Sequence, residues 1–282
     1  MRDLVIAAVA APFGRDMAAC LRTIGRAIQE ARVCGARLVV LPEAALGGYV
    51  ESLQETDGIV PPPALHVDGP ELALVAELAR EMVVCAGFCE AGADGARHNS
   101  AAVLTGDGVL GVHRKIHRPP GEDRCTTAGD SLTAFDTPAG RVGMLICYDK
   151  AFPEAARTLA LDGAQVLAFM SAWPCSATDA APRLQDDRQW RRAELWDRSR
   201  AAENSLVVAS ANQTGTFGTL RFIGGARVVD PGGDVVAATG ADCGVACASF
   251  DVEATLERAR RALSPIRDLR PDLYSVAAPL AV

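Results

Sequence analysis

The sequence predicts an α/β fold with mixed β-sheets in a single domain. Short, continuously apolar runs such as Leu4–Ala10 are typical of strands that are buried on both faces. Stretches of helical period alternate with these runs, and in Asp16–Ala36 the apolar residues fall near one helix face. Turn signals such as Thr105–Gly108 lie between paired strand-like runs and indicate β-hairpins. Together these patterns indicate mixed sheets that are covered by helices.

The elements follow one another along 282 residues. In the first half we expect helices at Asp16–Ala36, where Gly35 is suited to end the helix, and at Glu71–Met82. The strands of this half are apolar runs at Leu4–Ala10, Arg37–Leu41, Val83–Glu90, Ser100–Leu104 and Val109–Lys115.

In the second half we expect helices at Phe152–Gly163, with Pro153 in its first turn, and at Asp187–Glu203. The strands of this half are predicted at Thr133–Asp136, Arg141–Cys147, Val166–Met170, Leu206–Ala211, Gly225–Val229 and Val235–Ala238.

The composition argues against two classes of protein. Hydrophobic residues make up 49% of the chain and the net charge is −7, whereas a nucleic-acid binder usually presents a basic face. Acidic residues interrupt the densest basic run, Arg188–Arg200, which is typical of a solvated helix. No apolar run approaches the roughly 20 residues that cross a bilayer, and the N-terminal apolar run reads as a strand rather than a signal peptide. We therefore expect a cytoplasmic protein.

The nine cysteines favour reduced thiols over a disulfide framework or a metal site. An odd number of cysteines in a chain of this length, without an export signal, is typical of small buried thiols. The pairs Cys85/Cys89 and Cys243/Cys247 lack the C-x-x-C spacing and the nearby histidine that zinc sites use. No metal site is predicted.

One cysteine lies where chemistry is expected. The apolar strand Arg141–Cys147 stops at Cys147, and a helix begins a few residues later. Strand–turn–helix geometry places a side chain at the sheet edge where ligands bind, and a nearby helix N-terminus favours thiolate over thiol. Taken alone, the segment is also compatible with a buried cysteine at a strand end.

A nucleophilic thiol needs a base. Histidine is the usual partner of a catalytic cysteine, but His113 and His117 read as loop residues beside the site. Another apolar strand ends in an acid, Glu43, and the glycines that follow it allow the backbone to approach closely. A carboxylate that loses water at a buried strand end is suited to take a proton, although a turn-capping acid is the alternative interpretation. Lys115 ends a hairpin strand, where a lysine is ordinarily a solvated surface charge. Beside a cysteine and a glutamate, its ammonium would stabilise an oxyanion.

These segments resemble the nitrilase superfamily of carbon–nitrogen hydrolases and occur in that family's order. The chain reads LPEAALGGY around Glu43, HRKIHRPPGE around Lys115 and LICYDKAFPEAAR around Cys147. The resemblance continues through Arg198–Gly215 and the hairpin Phe222–Ala237. It covers nearly the whole chain, so we expect a hydrolase domain at 1–264 and a C-terminal tail at 265–282.

The resemblance implies a four-layer α-β-β-α sandwich with two mixed β-sheets. It implies that Glu43 is the general base, Lys115 the oxyanion-stabilising residue and Cys147 the nucleophile, with Glu122 as a second glutamate of the site. It implies no metal and no organic cofactor.

The same resemblance suggests how the substrate is held. The backbone N–H of Tyr148 would assist Lys115 at the oxyanion, and Tyr49, Trp173 and Phe217 are expected to line a pocket. Packing at sheet edges or in loops is the alternative for these three aromatic residues.

The resemblance favours a small amide or N-carbamoyl amine over a nitrile as substrate. Nitrilases tend to have tryptophan and glutamate after the nucleophile, where this chain has Tyr148 and Asp149. Amidases that act on dicarboxylate monoamides often have arginine where this chain has Ala151, which weakens an acidic-substrate assignment. Nitrile hydrolysis, N-acyl transfer and a non-catalytic scaffold remain alternatives. Family members usually form dimers or larger assemblies, here through Phe152–Gly163, the region from Arg198 onward and the tail.

Overall fold

The computed structural model describes residues 3–54, 60–93 and 95–274. Along these ranges the strands are β1 (Leu4–Ala11), β2 (Leu38–Val40), β3 (Val83–Ala91), β4 (Arg97–Thr105), β5 (Gly108–Arg114), β6 (Ala134–Thr137), β7 (Gly140–Ile146), β8 (Val166–Ser171), β9 (Val207–Gln213), β10 (Thr216–Phe217), β11 (Leu220–Arg221), β12 (Arg227–Val229), β13 (Val235–Ala238) and β14 (Gly244–Phe250). The α-helices are α1 (Met17–Val33), α2 (Pro70–Ala79), α3 (Pro153–Leu161), α4 (Arg188–Asn204) and α5 (Val252–Ala262).

The main strands form two groups with the same internal arrangement. The first group runs β5-β4-β3-β2-β1-β14, with β1, β2 and β3 parallel and the outer pairs antiparallel. The second group runs β6-β7-β8-β9-β12-β13, with β7, β8 and β9 parallel. This mixed pairing is the predicted one.

The two groups join into one nearly closed sheet, a detail that the sequence does not predict. The end of β1 runs parallel to β9, where Ala10 and Ala11 pair with Asn212 and Gln213. This contact is possible because β2 ends at Val40, opposite Ala8, and leaves that edge of β1 open beyond Ala8, while β14 pairs with the other edge as far as Ala10.

The layers are those of the predicted α-β-β-α sandwich. Alternate residues of β1 point to opposite sides, so that Ile6 and Ala8 join an inner core to which both strand groups contribute. Ala7 and Val9 join a second core beneath α1 and α2. On the far side α3 and α4 cover the second strand group with apolar side chains, among them Leu159 and Ala201.

Two elements near the C-terminus are absent from the sequence prediction. The sequence of β14, GVACASF, contains small and polar residues instead of a continuous β-branched run, so its pattern is weak. Helix α5 follows it, with Asp251 as its N-cap. Beyond α5, Ile266 packs against the core beneath α3 and α4. Part of the predicted tail, 275–282, lies outside the described residues.

The strands end in two unusual turns at one edge of the molecule. Residues Ala44, just after β2, and Cys147, just after β7, both have a left-handed backbone, with φ of 53° and 49°. This conformation costs a non-glycine residue roughly 1–2 kcal/mol, and such residues cluster at functional sites. At the first turn, Gly87 of β3 has no room for a side chain, since an added Cβ would lie 2.5 Å from the nitrogen of Ala44. Close packing therefore fixes the position of Glu43.

A membrane-crossing helix is absent from the described ranges, since none combines the length and apolar character that a bilayer requires.

Candidate active site

The centre of the site is the buried ammonium of Lys115. This residue follows β5, and only 1% of its surface is exposed. Its Nζ donates to Glu43 Oε1 at 2.8 Å and to Glu122 Oε2 at 2.6 Å. Burial alone would lower the pKa of Lys115, but the charges of Glu122 and Glu43 hold that pKa above its ordinary value. The two carboxyl groups therefore favour the charged form of Lys115.

The carboxylate of Glu43 is held on every side. Its Oε1 accepts from the amide of Asn99 at 2.7 Å as well as from Lys115. Its Oε2 accepts from the backbone N–H of Ala172, just after β8, at 2.6 Å. Its own carbonyl accepts from the side chain of Gln213 at 2.9 Å. The side chain is completely buried, so these contacts fix its direction.

Glu122 forms the other side of the cluster. It begins the 3₁₀ helix Glu122–Arg124 and is completely buried. The hydroxyl of Tyr49 donates to its Oε2, and Asn99 donates to its Oε1 at 2.9 Å. Burial raises the pKa of Glu122, and Lys115 opposes this rise. These contacts direct Glu122 at Lys115, which suits a residue that holds the ammonium in place.

Asn99 is a member of this cluster that the sequence analysis missed. Its amide bridges Glu43 and Glu122 from β4. The predicted strand begins one residue later, at Ser100, and nothing in a motif marks the asparagine. A polar side chain at the start of a buried strand is the only available signal.

Cys147 lies against Glu43, and its thiol is protonated. The residue is 4% exposed and opens the 3₁₀ helix Cys147–Ala151. Burial and the neighbouring Glu43, to which the thiol hydrogen-bonds, raise the pKa of Cys147 well above its ordinary value, although Lys115 opposes the rise. The expectation that a helix N-terminus favours the thiolate is therefore wrong, because one short turn does not offset burial and two carboxyl groups.

A third buried carboxyl group, that of Asp149, shapes the turn that carries the thiol. Asp149 Oδ2 accepts from the backbone N–H of Ile146 at 3.0 Å and contacts His113 Nε2 at 3.2 Å. Its Oδ1 contacts the backbone N–H and the Nδ1 of His117 at 2.8 and 2.9 Å. Burial alone would raise the pKa of Asp149, but the two histidines hold it well below its usual range. Both histidines, His113 and His117, therefore stabilise the turn through Asp149 and are not merely residues of a surface loop.

A cavity of about 200 Å³ opens onto the thiol. Three of the predicted substrate-binding residues, Tyr49, Tyr148 and Trp173, line it together with Cys147. The structure does not bring Phe217 to this wall. Phe217 lies on β10, against Gly14 and beneath the guanidinium of Arg15 at 5.0 Å from its ring. A larger depression of about 620 Å³ lies elsewhere, between α4 and Gly233, and contains none of the cluster residues.

Within the ranges that the structure describes, no three His, Cys, Asp or Glu side chains are grouped as metal ligands would be.

Comparison with known proteins agrees with this geometry. The family model of carbon-nitrogen hydrolases matches residues 5–260. The chain is similar to the N-carbamoylputrescine amidase of Arabidopsis thaliana, at 29% identity over 98% of this chain and 95% of that protein. It is 34% identical to the deaminated glutathione amidase of Rattus norvegicus, over 92% and 80%. The crystal structure of a carbon-nitrogen hydrolase from Helicobacter pylori G27 matches with a TM-score of 0.82 and 26% identity, over 97% of both chains.

The chain belongs to the carbon–nitrogen hydrolase family. The resemblance to the nitrilase superfamily is confirmed, and the protein is an enzyme that hydrolyses carbon–nitrogen bonds other than peptide bonds.

The electrostatics of the site predict how the thiol responds to the loss of Glu43. Because Glu43 raises the pKa of Cys147 and Lys115 lowers it, Glu43→Gln should shift the thiol pKa downward. We expect the half-maximal pH for reaction with methyl methanethiosulfonate to fall, while amide hydrolysis decreases at least about 100-fold because the predicted base is lost.

The control is Glu90→Gln, which neutralises another buried carboxylate, one that is paired with Arg114. This variant should leave the thiol profile in place. An unchanged or higher half-maximal pH in Glu43→Gln would show that the carboxylate does not act on the thiol.

Proposed function

We propose that this enzyme hydrolyses a small amide or N-carbamoyl amine through a thioester on Cys147. The observation that carries the proposal is the continuous contact from the thiol of Cys147 to the carboxylate of Glu43 and on to the ammonium of Lys115. A neutral thiol requires a base, and Glu43 is the base in contact with it.

In the acylation step, Glu43 takes the thiol proton as the sulfur attacks the carbonyl carbon. The carbonyl π electrons move to the oxygen, which becomes an oxyanion. Lys115 Nζ and the backbone N–H of Tyr148 are the donors for this oxygen, and Tyr148 lies in the first turn of its 3₁₀ helix, where backbone N–H groups lack acceptors within the helix. Loss of one such donor typically slows a reaction about 10²–10³-fold.

The tetrahedral intermediate then collapses. The carbon–nitrogen bond breaks, and Glu43 gives its proton to the departing ammonia or amine, which leaves an acyl group on the sulfur. Glu43 next takes a proton from water as the water oxygen attacks the thioester carbonyl carbon. The second tetrahedral intermediate collapses, the carbon–sulfur bond breaks to release the carboxylic acid, and Glu43 returns its proton to the sulfur. The side chains that hold Lys115 and Glu43 in position are those of Glu122, Tyr49 and Asn99. No step requires a metal or an organic cofactor.

The names of similar proteins support amide or carbamoyl substrates over nitriles. The Arabidopsis and rat proteins are both named amidases, and one name specifies an N-carbamoyl amine. The aromatic lining of the cavity, from Tyr49, Tyr148 and Trp173, suits a compact substrate with an apolar segment.

A substrate panel tests the function directly. We expect ammonia release from members of a set of small amides and N-carbamoyl amines, with little from the matching nitriles. Cys147→Ala should lower the rate to background because the nucleophile is lost.

The matched control is Cys20→Ala, which removes a similarly buried thiol on α1. This variant should retain the activity. Equal ammonia release from wild type and Cys147→Ala on every active substrate would refute the proposal.

We further propose a cytoplasmic enzyme that forms a homodimer or a larger assembly. All nine cysteines are free thiols, as is usual in a reducing compartment. Several leucines on the α3–α4 side and near the C-terminus are strongly exposed, and a second copy of the chain would remove them from water: Leu161 (58%), Leu195 (61%), Leu263 (79%) and Leu273 (67%).

Sedimentation velocity at micromolar concentration checks the assembly. We expect a dimer or larger species for the wild type, and a shift toward monomer in Leu161→Glu because a charge would enter the interface. Leu74→Glu, which alters an exposed leucine of α2 on the opposite side, should sediment as the wild type does. A wild type that is wholly monomeric would contradict the proposal.

A further inference from the structure

We propose that Arg192 is a specificity residue that binds an anionic group, a carboxylate, at the end of the substrate far from the reacting carbonyl. This inference rests on the proposed function, since it concerns the cavity that opens onto Cys147. The substrates concerned are amides or N-carbamoyl amines that carry a carboxylate.

The outer wall of the cavity is one face of α4. Gln189, Arg192 and Trp196 all line the cavity together with Cys147. Their spacing of three and four residues places them on one side of the helix. The eight residues from Gln189 to Trp196 extend about 10 Å along the axis, so the wall continues from the buried thiol toward solvent. Arg192 is exposed and lies at the rim.

The guanidinium of Arg192 is available to a ligand. Among the residues that the structure describes, it makes no hydrogen bond and no ion pair, and its contact is with the Trp196 ring, whose centroid lies 5.7 Å away. Stacking on an aromatic face restrains a guanidinium and leaves its N–H groups free to bind. By contrast, Gln189 has its oxygen engaged, since Gln189 Oε1 accepts from Trp173 Nε1 at 3.1 Å.

Neighbouring acidic groups do not neutralise Arg192 within the cavity. None of the side chains that line the cavity is acidic. On the same helix, Asp197 is buried in ion pairs with Lys150 and Arg227. Asp187, at the start of α4, accepts backbone N–H groups, including that of Gln189. A carboxylate at the rim would therefore meet a free cation, whereas an amine would be repelled.

The guanidinium of Arg192 lies on α4, which the sequence analysis did not connect with the substrate. The resemblance associates acidic substrates with an arginine at position 151, where this chain has alanine. The carbonyl of Ala151 accepts from Arg200 at 3.2 Å. Arg192 supplies a positive charge from α4 instead, so the absence of arginine at 151 does not exclude an anionic substrate.

The test compares matched substrates that differ in charge at the far end. The carboxylate is placed on the acyl side in succinamate and on the amine side in N-carbamoyl-β-alanine. Isocaproamide and N-carbamoylisoamylamine are the neutral counterparts, and γ-aminobutyramide is the cationic one. We expect the wild type to prefer at least one of the two anions over its neutral counterpart by about tenfold in kcat/KM. The anion that is preferred shows whether the acyl side or the amine side of the substrate faces Arg192.

Three variants separate charge from structure. Arg192→Gln should lose the preference for the anion while kcat/KM for the neutral counterpart changes less than about twofold, and Arg192→Lys should retain most of the preference. Arg191→Gln, which removes an adjacent exposed arginine outside the cavity lining, should behave as the wild type does. Raising the ionic strength should reduce the preference in the wild type, in Arg192→Lys and in Arg191→Gln, and should have little effect on Arg192→Gln.

A binding measurement on Cys147→Ala separates this inference from the hydrolase proposal. Calorimetry should show succinamate or N-carbamoyl-β-alanine binding at least about tenfold more tightly than its neutral counterpart, and Arg192→Gln in the same background should abolish that difference. If the anions bind in a manner that depends on Arg192 but the wild type does not hydrolyse them or their neutral counterparts, the hydrolase proposal is refuted and the anion-binding role of Arg192 stands. Turnover without any preference for the anions, or a preference unaffected by Arg192→Gln, would overturn the role of Arg192.

Discussion

The structure of this site depends on one interaction, the buried ammonium of Lys115 between the carboxyl groups of Glu43 and Glu122. Removing a charged group from water costs several kcal/mol even after the protein relaxes, so such a cluster persists only where the charges compensate one another and further hydrogen bonds complete the shell. Here Asn99, Tyr49 and the backbone N–H of Ala172 complete it. The ammonium remains charged, which is the condition for stabilising an oxyanion.

Cys147, the proposed nucleophile, lies in a turn that is equally constrained. Cys147 adopts a left-handed backbone, and Asp149 fixes the turn through Ile146, His113 and His117. Beneath the turn, the buried Lys150 pairs with Asp197 of α4. The helix α4 therefore both supports the turn that carries Cys147 and lines the cavity that opens onto its thiol.

The sequence predicted the parts of the site that lie where strands end. Glu43, Lys115 and Cys147 each follow a predicted strand, a pattern that is visible in the sequence. The pattern alone left other interpretations open, and the family resemblance supplied the predicted role of each residue. The sequence analysis did not identify Asn99 because the contacts of this residue depend on which strands become neighbours. Arg192 read as one charge of a solvated helix, since the side of α4 that faces the cavity is set by tertiary packing. The raised pKa of the Cys147 thiol could not be predicted from the sequence either, because it results from burial and from charges that folding brings together.

The partition of the acyl group between water and hydroxylamine tests the central claim most directly. If Glu43 and Lys115 act to load the acyl group onto Cys147, an amide, an N-methylamide and an ester that share one acyl group must pass through the same thioester. The account predicts the same ratio of hydroxamate to acid from all three, and no hydroxamate from Cys147→Ala. Ratios that change with the leaving group, or hydroxamate formation that survives the loss of the thiol, would contradict it.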